Sequence, residues 1–152
     1  MEKRKIYIGA DSAGYELKEI LKKHIEDLGY FVTDFGTDST ESCHYPIFAR
    51  KVCDAVSKEL DTSFGILVCG TGIGMSMCAN KYRGIRAAVC GDTFSAKMTR
   101  CHNDANVICI GARVTGQGLA ADIIDAFLES EFEGGRHKTR VDMIAEIEEN
   151  QK

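Results

Sequence analysis

The 152-residue sequence lacks the features of membrane, secreted and nucleic-acid-binding proteins. No apolar run approaches the ~18–20 residues of a membrane span, and the first ten residues lack the apolar stretch of a secretory signal. With 19 Lys and Arg against 23 Asp and Glu, the formal charge of −4 does not favour binding to a nucleic-acid backbone. A single Pro and 15 scattered Gly argue against disorder. We therefore expect one globular domain over residues 1–152.

The seven cysteines lack the spacing of a metal or redox motif. No two of them form C-x-x-C and their number is odd, which disfavours a zinc knuckle, a thioredoxin motif and a disulfide framework. The sequence predicts reduced thiols in a cytoplasmic protein, most of them buried as small apolar side chains.

Apolar residues recur with the spacing of strands and helices in alternation. The predicted strands are Lys5–Ala10, Tyr30–Asp34, Phe64–Cys69, Ile85–Cys90 and Asn106–Ile110. The predicted helices are Tyr15–Leu28, one with Pro46 in its first turn, Ile73–Lys81, Ser95–Cys101, Leu119–Phe127 and Val141–Glu149. Right-handed crossovers between such strands predict an α/β fold: a single-domain, doubly wound (Rossmann-like) parallel sheet of five strands in three α/β/α layers.

Two of these helices carry clear apolar stripes. The buried face predicted for the first consists of Leu17, Ile20, Leu21, Ile25 and Leu28. Gly29 is predicted to end that helix. The buried face predicted for the helix at Pro46 consists of Phe48, Val52, Val56 and Leu60.

Ligands of doubly wound folds bind beyond the carboxyl ends of the strands. The segments to inspect are therefore Ala10–Gly14, Cys69–Gly74, Gly91–Thr93 and Gly111–Arg113.

The strongest local signal is C-G-T-G-I-G at Cys69–Gly74. Its glycines allow a sharp turn and leave N–H groups free at a helix N-terminus. Met75 replaces the last Gly of the dinucleotide fingerprint, and no P-loop Lys follows. The loop is therefore either a ligand-binding loop of another kind or a turn that only joins strand to helix.

Several polar side chains are candidates for chemistry, each with a structural alternative. Cys69 begins the glycine loop, where a helix dipole favours a thiolate, or it is a buried inert thiol. Asp11 meets the same sheet edge, or it is an N-cap, a role that Ser12 could also fill. His102, between a helix and a strand, is an acid–base candidate or a simple cap.

The remaining histidines and a basic segment complete the survey. His24 is predicted to be structural or solvated, and His44 and His137 to lie in loops. Arg136 and Arg140 are four residues apart and so share one helical face. They could bind a phosphate together, or belong to a solvated basic turn.

Taken together, these motifs resemble a known family. A-D-S-A-G, C-G-T-G-I-G, A-N-K, R-C-H-N-D-A-N and E-G-G-R-H-K-T-R occur in the order and spacing of the type B ribose-5-phosphate isomerases. The wider group includes galactose-6-phosphate and allose-6-phosphate isomerases. The resemblance covers about residues 5–148. It implies a phosphorylated sugar substrate, no metal or organic cofactor, and a homodimer or dimer of dimers with shared active sites.

The resemblance also implies four catalytic residues. Cys69 would move the proton between C1 and C2 of the sugar, and Thr71 with the loop backbone would stabilise the enediolate. His102 would open the furanose ring as an acid, and Asp11 would contact the sugar near the reacting oxygens.

A further set of residues is implied to bind the substrate. Asn103 would hold a hydroxyl, Tyr45 would line the pocket, and three arginines would bind the phosphate. The set comprises Ser12, Tyr45, Gly70, Gly72, Ile73, Gly74, Asn103, Arg113, Arg136 and Arg140. Ser12 departs from the family's usual D-H-[AG]-G motif, which has His at this position.

The predicted function is the interconversion of ribose 5-phosphate and ribulose 5-phosphate, with a 6-phosphohexose such as allose 6-phosphate or galactose 6-phosphate as the alternative substrate. A nucleotide-binding regulatory domain and a thiol-redox protein are alternatives from other classes. The missing fingerprint argues against the first, and the lack of a second Cys near Cys69 in sequence argues against the second.

Overall fold

The computed structural model describes residues 2–151 and shows five parallel strands in the order β2-β1-β3-β5-β4. The strands are β1 (Lys5–Ala10), β2 (Val32–Asp34), β3 (Ser63–Cys69), β4 (Ala87–Val89) and β5 (Val107–Gly111). The helices are α1 (Tyr15–Asp27), α2 (Tyr45–Lys58), α3 (Ile73–Ala79), α4 (Thr93–Asn103), α5 (Gln117–Glu129) and α6 (Arg136–Glu149). The predicted doubly wound α/β/α fold is confirmed.

The central strand β3 separates two core layers. All seven of its residues are buried, as expected of a parallel strand covered on both faces. Ile66 and Val68 pack with side chains of α1 and α5, whereas Leu67 and Cys69 point to the other face and pack with α2 and α3. This alternation follows from the period of two residues in a strand.

Two element boundaries shift in ways that matter for the site. α4 starts earlier than predicted because Asp92 caps it, accepting a hydrogen bond from the backbone N–H of Ser95 at 2.7 Å. α6 begins at Arg136 rather than at Val141, so Arg136 and Arg140 lie in its first turns. The expectation that these two arginines share a helical face is confirmed.

The prediction of burial is wrong for three residues: Ile20, Leu28 and Leu60 are exposed. On α1, the buried face includes Lys18 and not the predicted Ile20. The ammonium group of Lys18 lies 2.6 Å from the Asp34 carboxylate. Leu60 lies beyond the end of α2. A pattern of apolar residues alone does not show that a charged side chain with a partner can take a core position.

The cysteine and glycine expectations are confirmed. All seven cysteines are unpaired, and five of them are buried. Gly29 follows α1 with a φ of +90°, the left-handed conformation that favours glycine there. Within residues 2–151, no helix combines the length and apolarity that a bilayer crossing needs.

We expect Leu21→Ala to lower the free energy of unfolding by about 2–5 kcal/mol, because a completely buried side chain leaves a cavity. Ile20→Ala on the same helix is the matched control: that side chain is 43% exposed, so the change should stay within about 0.5 kcal/mol. Urea denaturation of both variants measures the difference. Equal losses would contradict this packing of α1.

Candidate active site

Most of the predicted site residues lie at the edge of the sheet where the strands end, called here the carboxyl edge. Asp11 and Ser12 follow β1, Cys69 ends β3, and Arg113 follows β5. Tyr45 begins α2 at the same edge. The residues placed here are Asp11, Ser12, Tyr45, Cys69, Gly70, Thr71, Gly72, Ile73, Gly74 and Arg113.

The glycine loop curls over the Cys69 thiol. Its Sγ accepts a hydrogen bond from the backbone N–H of Gly72 at 3.2 Å. Gly72 has a φ of +80°, and a Cβ there would come within 3.1 Å of the Ile110 backbone, so only glycine suits the position. The Cys69 sulfur therefore faces a backbone donor within the loop.

The thiols of Cys53, Cys90 and Cys109 lie in the core, where burial raises their pKa. Burial raises the pKa of the Cys53 thiol to about 12 and that of Cys90 to about 11. Cys109 is completely buried, and its pKa is likewise raised well above the ordinary range. These thiols stay protonated at neutral pH.

Two side chains frame the loop. The Tyr45 ring lies against Gly74 so closely that a Cβ on Gly74 would be 2.6 Å from a ring carbon. The Arg113 side chain lies beside Gly70, with its guanidinium 3.6 Å from where a Cβ would stand. A cation and an aromatic ring thus flank the loop that begins at Cys69.

Asp11 takes part in the turn ahead of α1. Its Oδ1 accepts a hydrogen bond from the backbone N–H of Gly14 at 3.0 Å. The N-cap residue of α1 is Gly14 itself, and no side chain caps that helix. The structural alternative, in which Asp11 or Ser12 is the N-cap of α1, is therefore wrong.

The other predicted site residues lie at the opposite edge of the sheet, called here the amino edge. His102 and Asn103 end α4, while Arg136 and Arg140 begin α6. Helix α4 returns from the end of β4 to the start of β5, so its last turn lies a strand length away from Cys69, roughly 20 Å for seven residues. Within one chain, the structure does not bring these residues together with Cys69.

A histidine pair at the amino edge was missed by the sequence reasoning. The rings of His102 and His137 stack with centroids 4.0 Å apart and planes inclined by 6°. Glu133 Oε1 lies 3.6 Å from Nε2 of His102 and 3.5 Å from Nε2 of His137. His137 was expected in a loop, but it lies in the first turn of α6. The spacing of Glu133 and His137, four residues apart, was the available signal.

This trio is the one cluster of metal-type ligands found among the described residues, with ligand atoms within 4.8 Å of one another. The two imidazole planes are almost parallel, so a metal ion in the plane of one ring would lie outside the plane of the other. The parallel stacking does not suit ligation of one ion by both rings. That the protein needs no metal stays a prediction.

Both edges expose apolar side chains. On α6 only His137 is buried, and Met143, Ile144 and Ile147 are exposed. Ile144 and Ile147 line a cavity of about 770 Å³ that also borders Asn103 and β4. At the carboxyl edge, Phe94 and Val114 are each 71% exposed.

Comparison with known proteins places the chain among sugar-phosphate isomerases. Residues 6–144 match the family described as Ribose/Galactose Isomerase. Ribose-5-phosphate isomerase B of Escherichia coli is 47% identical over 147 residues, which cover 96% of this chain and 97% of that protein. D-erythrulose-4-phosphate isomerase of Pectobacterium atrosepticum is 47% identical over 148 residues, 97% of each chain.

A solved structure extends the likeness to three dimensions. Ribose-5-phosphate isomerase B of Mycoplasma genitalium, with bound ribulose-5-phosphate, superposes with a TM-score of 0.95 at 38% identity. The match covers 99% of this chain and all of that one.

Proposed function

The chain belongs to the ribose/galactose isomerase family, and on that premise we propose that it interconverts ribose 5-phosphate and ribulose 5-phosphate. Membership makes it a sugar-phosphate isomerase. The observation that carries the proposal is the glycine loop at the carboxyl edge, where the Cys69 sulfur meets a backbone N–H beside Arg113. Family membership also removes the reason to consider a nucleotide-binding or thiol-redox protein. Cytoplasmic location stays a prediction.

Aldose–ketose isomerisation moves a proton between two adjacent carbons. In the proposed mechanism the Cys69 thiolate removes the proton from C2 of the open-chain aldose, and the resulting thiol returns it to C1 of the enediolate. The hydroxyl proton of O2 passes to O1 as the C2=O bond forms. The N–H groups of Gly70–Gly74 and the Thr71 side chain stabilise the charge on the enediolate oxygens. A preorganised donor of this kind contributes about 3–4 kcal/mol to the transition state.

The remaining residues position the sugar. Asp11 contacts it near the reacting oxygens, and Tyr45 lines the pocket. His102 opens the furanose ring, and Asn103 holds a hydroxyl. The phosphate does not react, so the arginines that bind it supply binding energy for orientation.

We expect ribose 5-phosphate to have the highest kcat/KM of the candidate sugars. The alternative is a 6-phosphohexose, and the tetrulose phosphate named for one relative adds a shorter substrate to the test. Initial rates on ribose 5-phosphate, allose 6-phosphate, galactose 6-phosphate and erythrulose 4-phosphate measure the preference. A tenfold or larger advantage for another sugar, about 1.4 kcal/mol, would replace the proposed substrate while leaving the reaction type intact.

We further propose that the active site is shared between two copies of the chain. One copy contributes the carboxyl edge with Cys69, and the other contributes the amino edge with His102 and α6. Two observations support this: a strand length separates the two groups within one chain, and both edges expose apolar side chains. A twofold homodimer would form two such sites, and pairing of dimers would keep them.

A mixture of two inactive variants tests the shared site. Cys69→Ala removes the base and His102→Asn removes the acid, so each homodimer should be nearly inactive. In a mixed dimer, one of the two sites combines both wild-type residues. Because random association makes about half of the dimers mixed, it should restore about a quarter of wild-type activity. Co-expression of the two variants, followed by a rate measurement, checks this. No recovery in proven mixed dimers would place each site within one chain. Cys53→Ala, in the core of α2, is the control that should retain activity.

Phosphate binding by Arg140 gives a separate prediction. Arg140→Ala should lower kcat/KM for the phosphorylated sugar by roughly tenfold to hundredfold, because one charge-assisted hydrogen-bonding partner is lost. Arg140→Lys should give an intermediate value, since lysine keeps the charge without the bidentate geometry. Turnover of the free sugar should barely change. Equal losses on both substrates would make the residue structural.

A further inference from the structure

We propose that His137 is a positioning residue that holds the His102 imidazole for sugar-ring opening, an inference that rests on the role proposed for His102. His137 would act through His102 and would not itself contact the reacting atoms.

The two imidazole rings differ in burial: that of His137 is buried, and that of His102 is partly exposed. His137 is 7% exposed, and its backbone N–H donates to the Gly134 carbonyl at 3.0 Å. The His102 side chain is 39% exposed and ends a helix, and no hydrogen bond to its ring is found among the described residues. Its stacking on His137 is therefore the contact that sets the plane of its ring. With one face covered by the stack, His102 can reach a substrate only through its edge or its other face.

Burial and the charges around His137 favour the neutral form of its ring. Two imidazolium ions 4.0 Å apart would repel each other, and a single carboxylate, Glu133, faces both. Burial and then the neighbouring His102 lower the pKa of His137; Arg136 and Arg140 act in the same direction, and Glu133 opposes them. His137 is then the neutral member of the pair.

The arrangement serves the opening of the furanose ring. The C1–O4 bond of the furanose breaks and its electron pair goes to O4, which takes a proton from the His102 ring. The C1 hydroxyl loses its proton to water as the C1=O bond forms. His102 ends neutral and regains a proton from solvent before the next turnover.

Two readouts separate ring opening from the proton transfer at carbon. Conversion of ribose 5-phosphate requires both steps. Ribulose 5-phosphate cannot close a furanose because its O5 is esterified, so exchange of its C1 proton with D2O, followed by NMR, requires only the enediolate step. We expect His137→Ala, at saturating substrate, to lower the rate of ribose 5-phosphate conversion at least tenfold, since acid catalysis contributes 10²–10⁴-fold. The rate of C1 proton exchange in ribulose 5-phosphate should change less than about twofold. His137→Phe keeps a stacking surface and should recover most of the loss.

Control variants make each outcome decisive. His24→Ala breaks the pair with Asp125 between α1 and α5 and should change neither rate. If His137→Ala lowers both rates equally, or neither, the positioning role is wrong; the same holds if His137→Phe is no better than His137→Ala. Failure of the wild-type protein to convert ribose 5-phosphate into ribulose 5-phosphate would instead overturn the proposed function itself.

Discussion

The carboxyl edge of this protein depends on loops that pack backbone against backbone. Cβ atoms on three glycines would collide: on Gly14 with the Val68 carbonyl, on Gly72 with the Ile110 backbone, and on Gly111 with the Thr71 backbone at 2.7 Å. The turn after β1 therefore rests on β3, and the glycine loop after β3 rests on the backbone of β5. The contact between Gly72 and the Ile110 backbone sets the path of the glycine loop across the end of β3. The N–H groups of the glycine loop are thereby placed above the Cys69 sulfur.

The chemical environment then distinguishes cysteines that are alike in sequence. Cys53, Cys90 and Cys109 lie in apolar surroundings where burial raises the thiol pKa and keeps the proton in place. Cys69 is also buried, but it ends a strand and its sulfur meets a backbone donor. The protein can thus carry many reduced thiols and still present one as the proposed base.

Parallel topology sets the second constraint. A helix that connects two parallel strands must return to the edge where the next strand starts, so residues at its end lie far from residues at the strand ends. His102 and the arginines of α6 therefore cannot meet Cys69 within one chain. In the shared-site proposal, association supplies the missing half, and activity falls when dilution separates the copies. The exposed apolar residues of α6 give that association its driving force.

The sequence alone was sufficient for the order of strands and helices, the parallel sheet, the glycine loop and the candidate residues, because these depend on local periodicity and short motifs. It failed for Ile20, where the partner that buries Lys18 comes from another element, and for His137, whose stacking partner lies on α4. Only the tertiary structure decided which candidates share an edge of the sheet. The physical reason is that a motif fixes the spacing of residues along the chain, whereas distances across the sheet depend on where each helix returns.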